Sequence, residues 1–164
     1  MRPRRDTIDI QPRIVTLTTP KGNNYPVGRM LIASPAAISA LLERVPNGCV
    51  LKSGDLRTAL AGAYGADYTC PMTTGIFLRM AAESADAAGA DDAVPWWRVV
   101  RDDGGLIDTL PGGSARQARQ LQREGLTTSS AKRPRVANLD AHAWTVTATA
   151  RRAARLTIPA LRRG

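Results

Sequence analysis

Phenylalanine occurs once in this chain, histidine once and cysteine twice, and all aromatic residues together make up only 4%. Each scarcity excludes something. His142, Cys49 and Cys70 are too few ligands for a His/Cys structural zinc site, and two cysteines do not make a disulfide framework. Neither a metal nor a cofactor is expected. No run of roughly 18 apolar residues occurs, so no membrane-spanning helix is expected. The opening Met1-Arg2-Pro3-Arg4-Arg5-Asp6 lacks the apolar stretch of a secretory signal. These readings point to a reducing, cytoplasmic setting, with no membrane partner and a monomer.

Acidic residues are also short, 14 against 23 Lys and Arg, for a net charge of +9. The excess is unevenly placed. Residues 1–30 carry +4, residues 31–126 carry −2 and residues 127–164 carry +7. Basic ends favour nucleic acid or another anionic surface through counterion release. The centre gives no such help.

At 164 residues the chain is long enough for one hydrophobic core. Its layout reads as an N-terminal lead with a short β segment (1–33), a central domain (34–126) and a basic C-terminal extension (127–164). Ile14–Thr18 and Met30–Ala33 are short β-prone runs around the turn-rich Lys21-Gly22-Asn23-Asn24. Ser34-Pro35 opens a helix with Ser34 as its cap, and Ile38, Leu41, Leu42 and Val45 follow the helical period. Ser53-Gly54-Asp55 starts a second helix. Pro71 precedes a third over Met72–Ala87, with Ile76, Phe77, Met80 and Ala81 on one stripe and Arg79 and Glu83 off it. Such a helix pair suggests a helix-turn-helix, whose second helix approaches DNA. Val99–Arg101 and Leu106–Asp108 around Asp102–Gly105 suggest a β-hairpin. Gly113-Ser114 opens a last helix that Gly125 ends. Thr127–Arg135 reads as a linker, and Thr145–Ala154 fits helix and strand equally. The expected class is α+β: a winged helix-turn-helix-like domain of about four helices with that hairpin, the N-terminal β segment and the basic extension.

Two of the three tryptophans are adjacent, in Pro95-Trp96-Trp97-Arg98-Val99-Val100. Indoles fill cores, and they also stack on flat rings. Both readings stand. The segment, followed by a turn, Gly112-Gly113 and a Gln/Arg-rich stretch ending Glu124-Gly125, resembles the active-site region of the 6-O-methylguanine-DNA methyltransferases. The resemblance spans about Val45 to Gly125. In that family the acceptor cysteine and general-base histidine stand where Trp96 and Trp97 stand here. The same tryptophan for the acceptor cysteine marks the alkyltransferase-like proteins, which bind alkylated DNA without repairing it.

The resemblance implies a lesion pocket built from Trp96, Trp97, Arg98 and Val99. Trp96 would line it, Trp97 would pack near Glu124, and Arg98 would hold the hairpin or meet a phosphate. It also implies DNA contacts at Ser53, Met72, Thr73, Thr74 and Arg79, with Gly75 and Glu124 structural. Met72 falls on the family's arginine finger and Ser53 on its phosphate-rotating tyrosine. No catalytic residue is carried over, because an indole offers no thiolate to accept an alkyl group. Asp86, Asp91 and Asp92 lie in a stretch longer than the family's and are unwelcome near phosphate. The implied function is non-catalytic recognition of double-stranded, alkylated DNA in repair, with repair proteins as further partners.

Two other readings stay open. One is a winged-helix module reused for regulation or protein interaction. The other is chemistry at Cys70, which sits at a helix start where a dipole lowers thiol pKa and which needs His142 close by. Asp102, Asp103 and Asp108 fit an Asp-Gly turn better than a metal site. The glycine pairs are not followed by the Lys-Ser/Thr of a phosphate loop.

Overall fold

The computed structural model describes residues 10–89, 94–146, 152 and 158–161. Arg13–Leu17 (β1) and Gly28–Ile32 (β2) pair antiparallel, with Arg13 opposite Ile32 and Leu17 opposite Gly28. Tyr68–Thr69 (β4) adds to β2 in parallel, giving the order β1-β2-β4. β1 and β2 are therefore joined to the central domain through β4. A second sheet pairs Leu51–Lys52 (β3) in parallel with Val99–Val100 (β5).

The helices start where local chemistry allows. Pro35–Leu42 (α1) has Pro35 in its first turn, and the extended Ser34 accepts from the Ala37 N–H at 3.1 Å. Ser53–Tyr64 (α2) has no cap of its own. The Gly54 N–H donates instead to Asp102 Oδ1 at 2.7 Å, and Gly65, at φ +66°, ends the helix. Pro71–Ala87 (α3) buries Thr74, Phe77, Leu78, Ala81, Ala82 and Ala85. That line is rotated from the expected stripe, so Ile76, read as core, is 51% exposed. Gly113–Arg123 (α4) and the short Leu139–His142 (α5) follow. Leu31, Ile38, Leu41, Leu56, Leu60 and Trp96 are among the fully buried side chains.

Two expectations need correcting. Val99–Arg101 does not form a hairpin with Leu106–Asp108. The turn exists, with Arg101 N–H donating to Gly105 O, but Leu106 N–H donates to Pro134 O at 3.0 Å and Val136 N–H to Gly104 O at 3.0 Å. Val99 and Val100 are both buried, as in an internal parallel strand and unlike an exposed wing that alternates. Nor is Thr127–Arg135 an open linker. Ser129 N–H donates to Arg135 O at 2.8 Å and Ala137 N–H to Thr127 O at 2.8 Å, and Leu126 and Val136 are buried. The return ends on β3, with Val50 N–H donating to His142 O and Trp144 N–H to Val50 O. The expectations for Asp91, Asp92 and most of Thr145–Ala154 fall outside the described residues, as does part of the basic extension. Among the described residues no helix is long and apolar enough to cross a membrane.

Candidate functional site

Trp96–Arg98 forms a single 3-10 turn between α3 and β5. Trp96 is fully buried, its ring meeting Trp97 edge-on at 5.7 Å and 81°. The Arg116 guanidinium lies 5.4 Å from the Trp96 ring centroid and is ion-paired to Asp86 at 2.5 Å. That hydrogen bond and charge hold the Asp86 carboxyl below its usual range against the opposing effect of burial. Trp96 therefore does not line an open pocket, because the turn carries its indole into the core.

Trp97 Nε1–H donates to Glu124 Oε1 at 3.0 Å. Arg98 grips the same carboxylate, Nε at 2.9 and 3.0 Å from its two oxygens and Nη2 at 2.6 Å from Oε1. Its Nη1 donates to Val45 O at 2.7 Å. The Arg98 and Glu124 side chains are largely buried, 13% and 7% exposed, and the pairing occupies the Arg98 guanidinium. Val99 is wholly internal. The buried Gln117 amide fixes the turn, donating to Trp97 O at 2.9 Å and Val99 O at 2.6 Å while its oxygen accepts from the Ile107 N–H. The four residues expected in a lesion pocket are therefore a largely buried, cross-braced unit.

The other expected residues sit elsewhere. Met72, Gly75, Ile76 and Arg79 share the outer face of α3, with Met72 63% exposed and Arg79 paired to Glu83 at 2.8 Å. Gly75 is not structural in the packing sense, since a Cβ there would meet nothing within 4 Å. Thr73 has a buried Oγ1 with no hydrogen-bond partner among the described residues, whereas Thr74 donates to Cys70 O at 2.6 Å.

Beside that face lies a cleft of about 170 Å³ between the starts of α2 and α3 and the 101–110 loop. Ser53, Arg57, Thr74, Gly75, Arg101 and Thr109 contribute to its walls over a floor of Leu56, Leu78, Ile107 and Leu110. It adjoins a wider groove of about 740 Å³, which shares Arg57 and Pro71 with it and includes Lys52, Asp55, Asp102 and Asn24. Ser53 and Thr74, expected as DNA contacts, and Gly75, expected as structural, line this cleft. Arg57 and Arg101 in the cleft and Asp102 in the groove were not named as site residues, and Asp102 reaches its place through a contact with Gly54 48 positions away.

Cys70 is buried at the start of α3. Its neighbours are Tyr25 and Tyr68, whose phenol pKa values are raised by burial first and by the thiol next. His142 is engaged elsewhere, its Nδ1 lying 3.3 Å from Gly48 O. The base that Cys70 chemistry needs is not supplied by that histidine. Among the described residues no three His, Cys, Asp or Glu side chains cluster to hold a metal ion. The Asp103 carboxyl is held below its usual range, chiefly by the Gly105 N–H and further by Arg135 and Arg101.

No protein-family model matches the chain, and no curated protein does. Among solved structures the chain is similar to Atl1 of S. pombe, in complex with damaged DNA containing O6-carboxymethylguanine, at 20% identity over 68% of this chain and 94% of that one, with a TM-score of 0.49.

Proposed function

We propose that this protein binds duplex DNA through the outer face of α3 and samples an altered base, alkylated guanine in the favoured form, in the adjoining cleft, without transferring the alkyl group. Gly75 carries the reading. A glycine inside a helix costs about 0.5–1 kcal/mol relative to alanine, and nothing inside this fold occupies the space a methyl group would take. In this reading the space is left for close approach of a DNA backbone. Met72, exposed one turn away, is suited to act as an apolar wedge between base steps. At about 170 Å³ the cleft is smaller than the roughly 300–1,000 Å³ of a drug-sized site and suits one small flat group. This moves the base site away from Trp96. Trp96 keeps the negative role the sequence gives it, since an indole has no nucleophile for an alkyl group. Recruitment of repair proteins is the corresponding biological outcome.

The exposed Met72 and Ile76 on a slightly acidic centre favour one alternative, a module that presents this face to a protein partner. Fluorescence anisotropy with matched duplexes separates the two. Tighter binding to a 6-O-methylguanine duplex than to its undamaged counterpart is expected, weakened by Gly75→Leu. Equal or absent binding overturns the lesion reading and leaves the protein-partner one.

A further inference from the structure

We propose that Arg57 and Arg101 form an oxyanion seat in the small cleft, for an anionic group carried by the nucleotide that enters it. Both arginines line the cleft, and among the described residues no acidic residue does. Two like charges on the walls of one small cleft favour an anion placed between them. Among the described residues neither has a carboxylate of its own. The Arg57 side chain makes no ion pair or hydrogen bond among the described residues, its only contact of that kind being the backbone carbonyl that accepts from Thr69. Arg101 acts electrostatically on Asp103, but that carboxylate already accepts from the Gly105 N–H at 2.9 Å and from Arg135 at 2.8 Å.

The acids of the neighbouring groove are also engaged. Asp55 lies 3.8 Å from Lys52, Asp67 accepts from the Arg29 N–H at 2.7 Å, and Asp102 accepts from the Gly54 N–H. Arg57 stands where cleft and groove meet. An incoming ring would rest on Leu56, Leu78, Ile107 and Leu110, with its negative group between two forks suited to bidentate contact with phosphate or carboxylate. Two sources share that chemistry: a backbone phosphodiester beside the base, and a carboxylate-ended substituent on the base. The ligand's identity rests on the DNA reading above. The seat itself does not.

The full-length protein is first titrated with inorganic phosphate while the arginine side-chain Nε–H resonances are followed. Saturable shifts at both Arg57 and Arg101, larger than that of the outward-facing Arg79, establish the seat, and shifts no larger than Arg79's overturn it. Duplex arms then assign the source. Affinities of wild type, Arg57→Gln, Arg57→Lys and Arg101→Gln are compared on undamaged, 6-O-methylguanine and 6-O-carboxyalkylguanine duplexes, and on a duplex with a methylphosphonate beside the lesion. Arg57→Gln should keep the wild-type melting temperature and lose about tenfold in affinity, the scale of a charge-assisted hydrogen bond, with partial recovery in Arg57→Lys. A loss on every duplex except the methylphosphonate one assigns the phosphodiester. A loss confined to the carboxyalkyl duplex assigns the substituent. Unchanged affinity of both Gln variants on duplexes that wild type binds overturns the proposal for nucleotides. If wild type binds no duplex, the DNA reading fails, and the phosphate titration still decides the seat.

Discussion

The indole N–H of Trp97 and the side chain of Arg98 converge on one buried carboxylate, Glu124, with Trp97 Nε1 3.0 Å from Oε1. The Gly48 N–H approaches the other oxygen at 3.4 Å. One residue at the end of α4 thus ties the tryptophan turn to the loop after α1. Removing it strands a guanidinium and an indole N–H in a buried site.

Glu124→Ala should therefore destabilise the fold by about 3–5 kcal/mol, the scale for breaking one partner out of a buried ion pair. Trp97→Phe, which removes one donor and keeps most of the apolar volume, should cost much less. Chemical denaturation of both variants measures this. Equal losses would show that packing of the ring, and not the carboxylate, holds the turn.

Trp96 is a packing residue, and its truncation should show it. Trp96→Ala should cost on the order of 3–5 kcal/mol from the cavity it leaves, while the fraction still folded binds DNA as wild type does. Thermal melting and anisotropy on the same samples decide. A stable variant with weakened binding would return Trp96 to the pocket.

The sequence made some of this legible because the determinants are local. Ser34-Pro35 starts a helix by a contact three residues long, and the Trp96-Trp97-Arg98 and Glu124 positions drew attention through the motif around them. The pairing of Val99-Val100 with Leu51-Lys52 was not legible, because two-residue strands 48 positions apart leave no periodicity to read. Their joint burial is the one clue, since a hairpin wing alternates. The return from Thr127 to Trp144 was hidden for a similar reason. Its buried contacts, Leu126 and Val136, are isolated among polar and basic residues. The cleft gathers residues from α2, α3 and the 101–110 loop, so nothing local marks Arg57 as part of it.

The Asp86–Arg116 pair, which closes over Trp96, sets a pH dependence. Asp86 is held below its ordinary 3.8 when folded, so the unfolded chain binds its proton more readily. The pair's contribution is complete above that value and is lost as pH falls through the folded pKa. Both partners are about one-third exposed, so the contribution is modest. The melting-temperature gap between wild type and Asp86→Asn should be widest near neutrality and close in acid below 3.8. A gap constant from neutral to strongly acid pH would show that the pair's ionisation is not linked to folding.

Asp102 occupies the α2 N-terminus as a built-in anion, its Oδ1 2.7 Å from the Gly54 N–H and 3.5 Å from Ser53 Oγ. Helix N-termini attract phosphate, so this carboxylate both caps the helix and turns a DNA phosphate away from it. Gly54 is fitted to the contact, since a Cβ there would lie 2.8 Å from that oxygen. The two roles separate by substitution. Asp102→Asn keeps an acceptor for the Gly54 N–H and loses the charge, so stability should fall by only a few tenths of a kcal/mol while DNA affinity rises about two- to fivefold, the scale of one helix-end charge. Asp102→Ala loses the cap as well and should cost about 1 kcal/mol. Its affinity should rise at least as far, with a steeper dependence on salt, because the freed N–H groups and Ser53 hydroxyl can meet a phosphate. Unchanged affinity in both variants would mean that no strand passes the start of α2, and would confine the DNA face to α3.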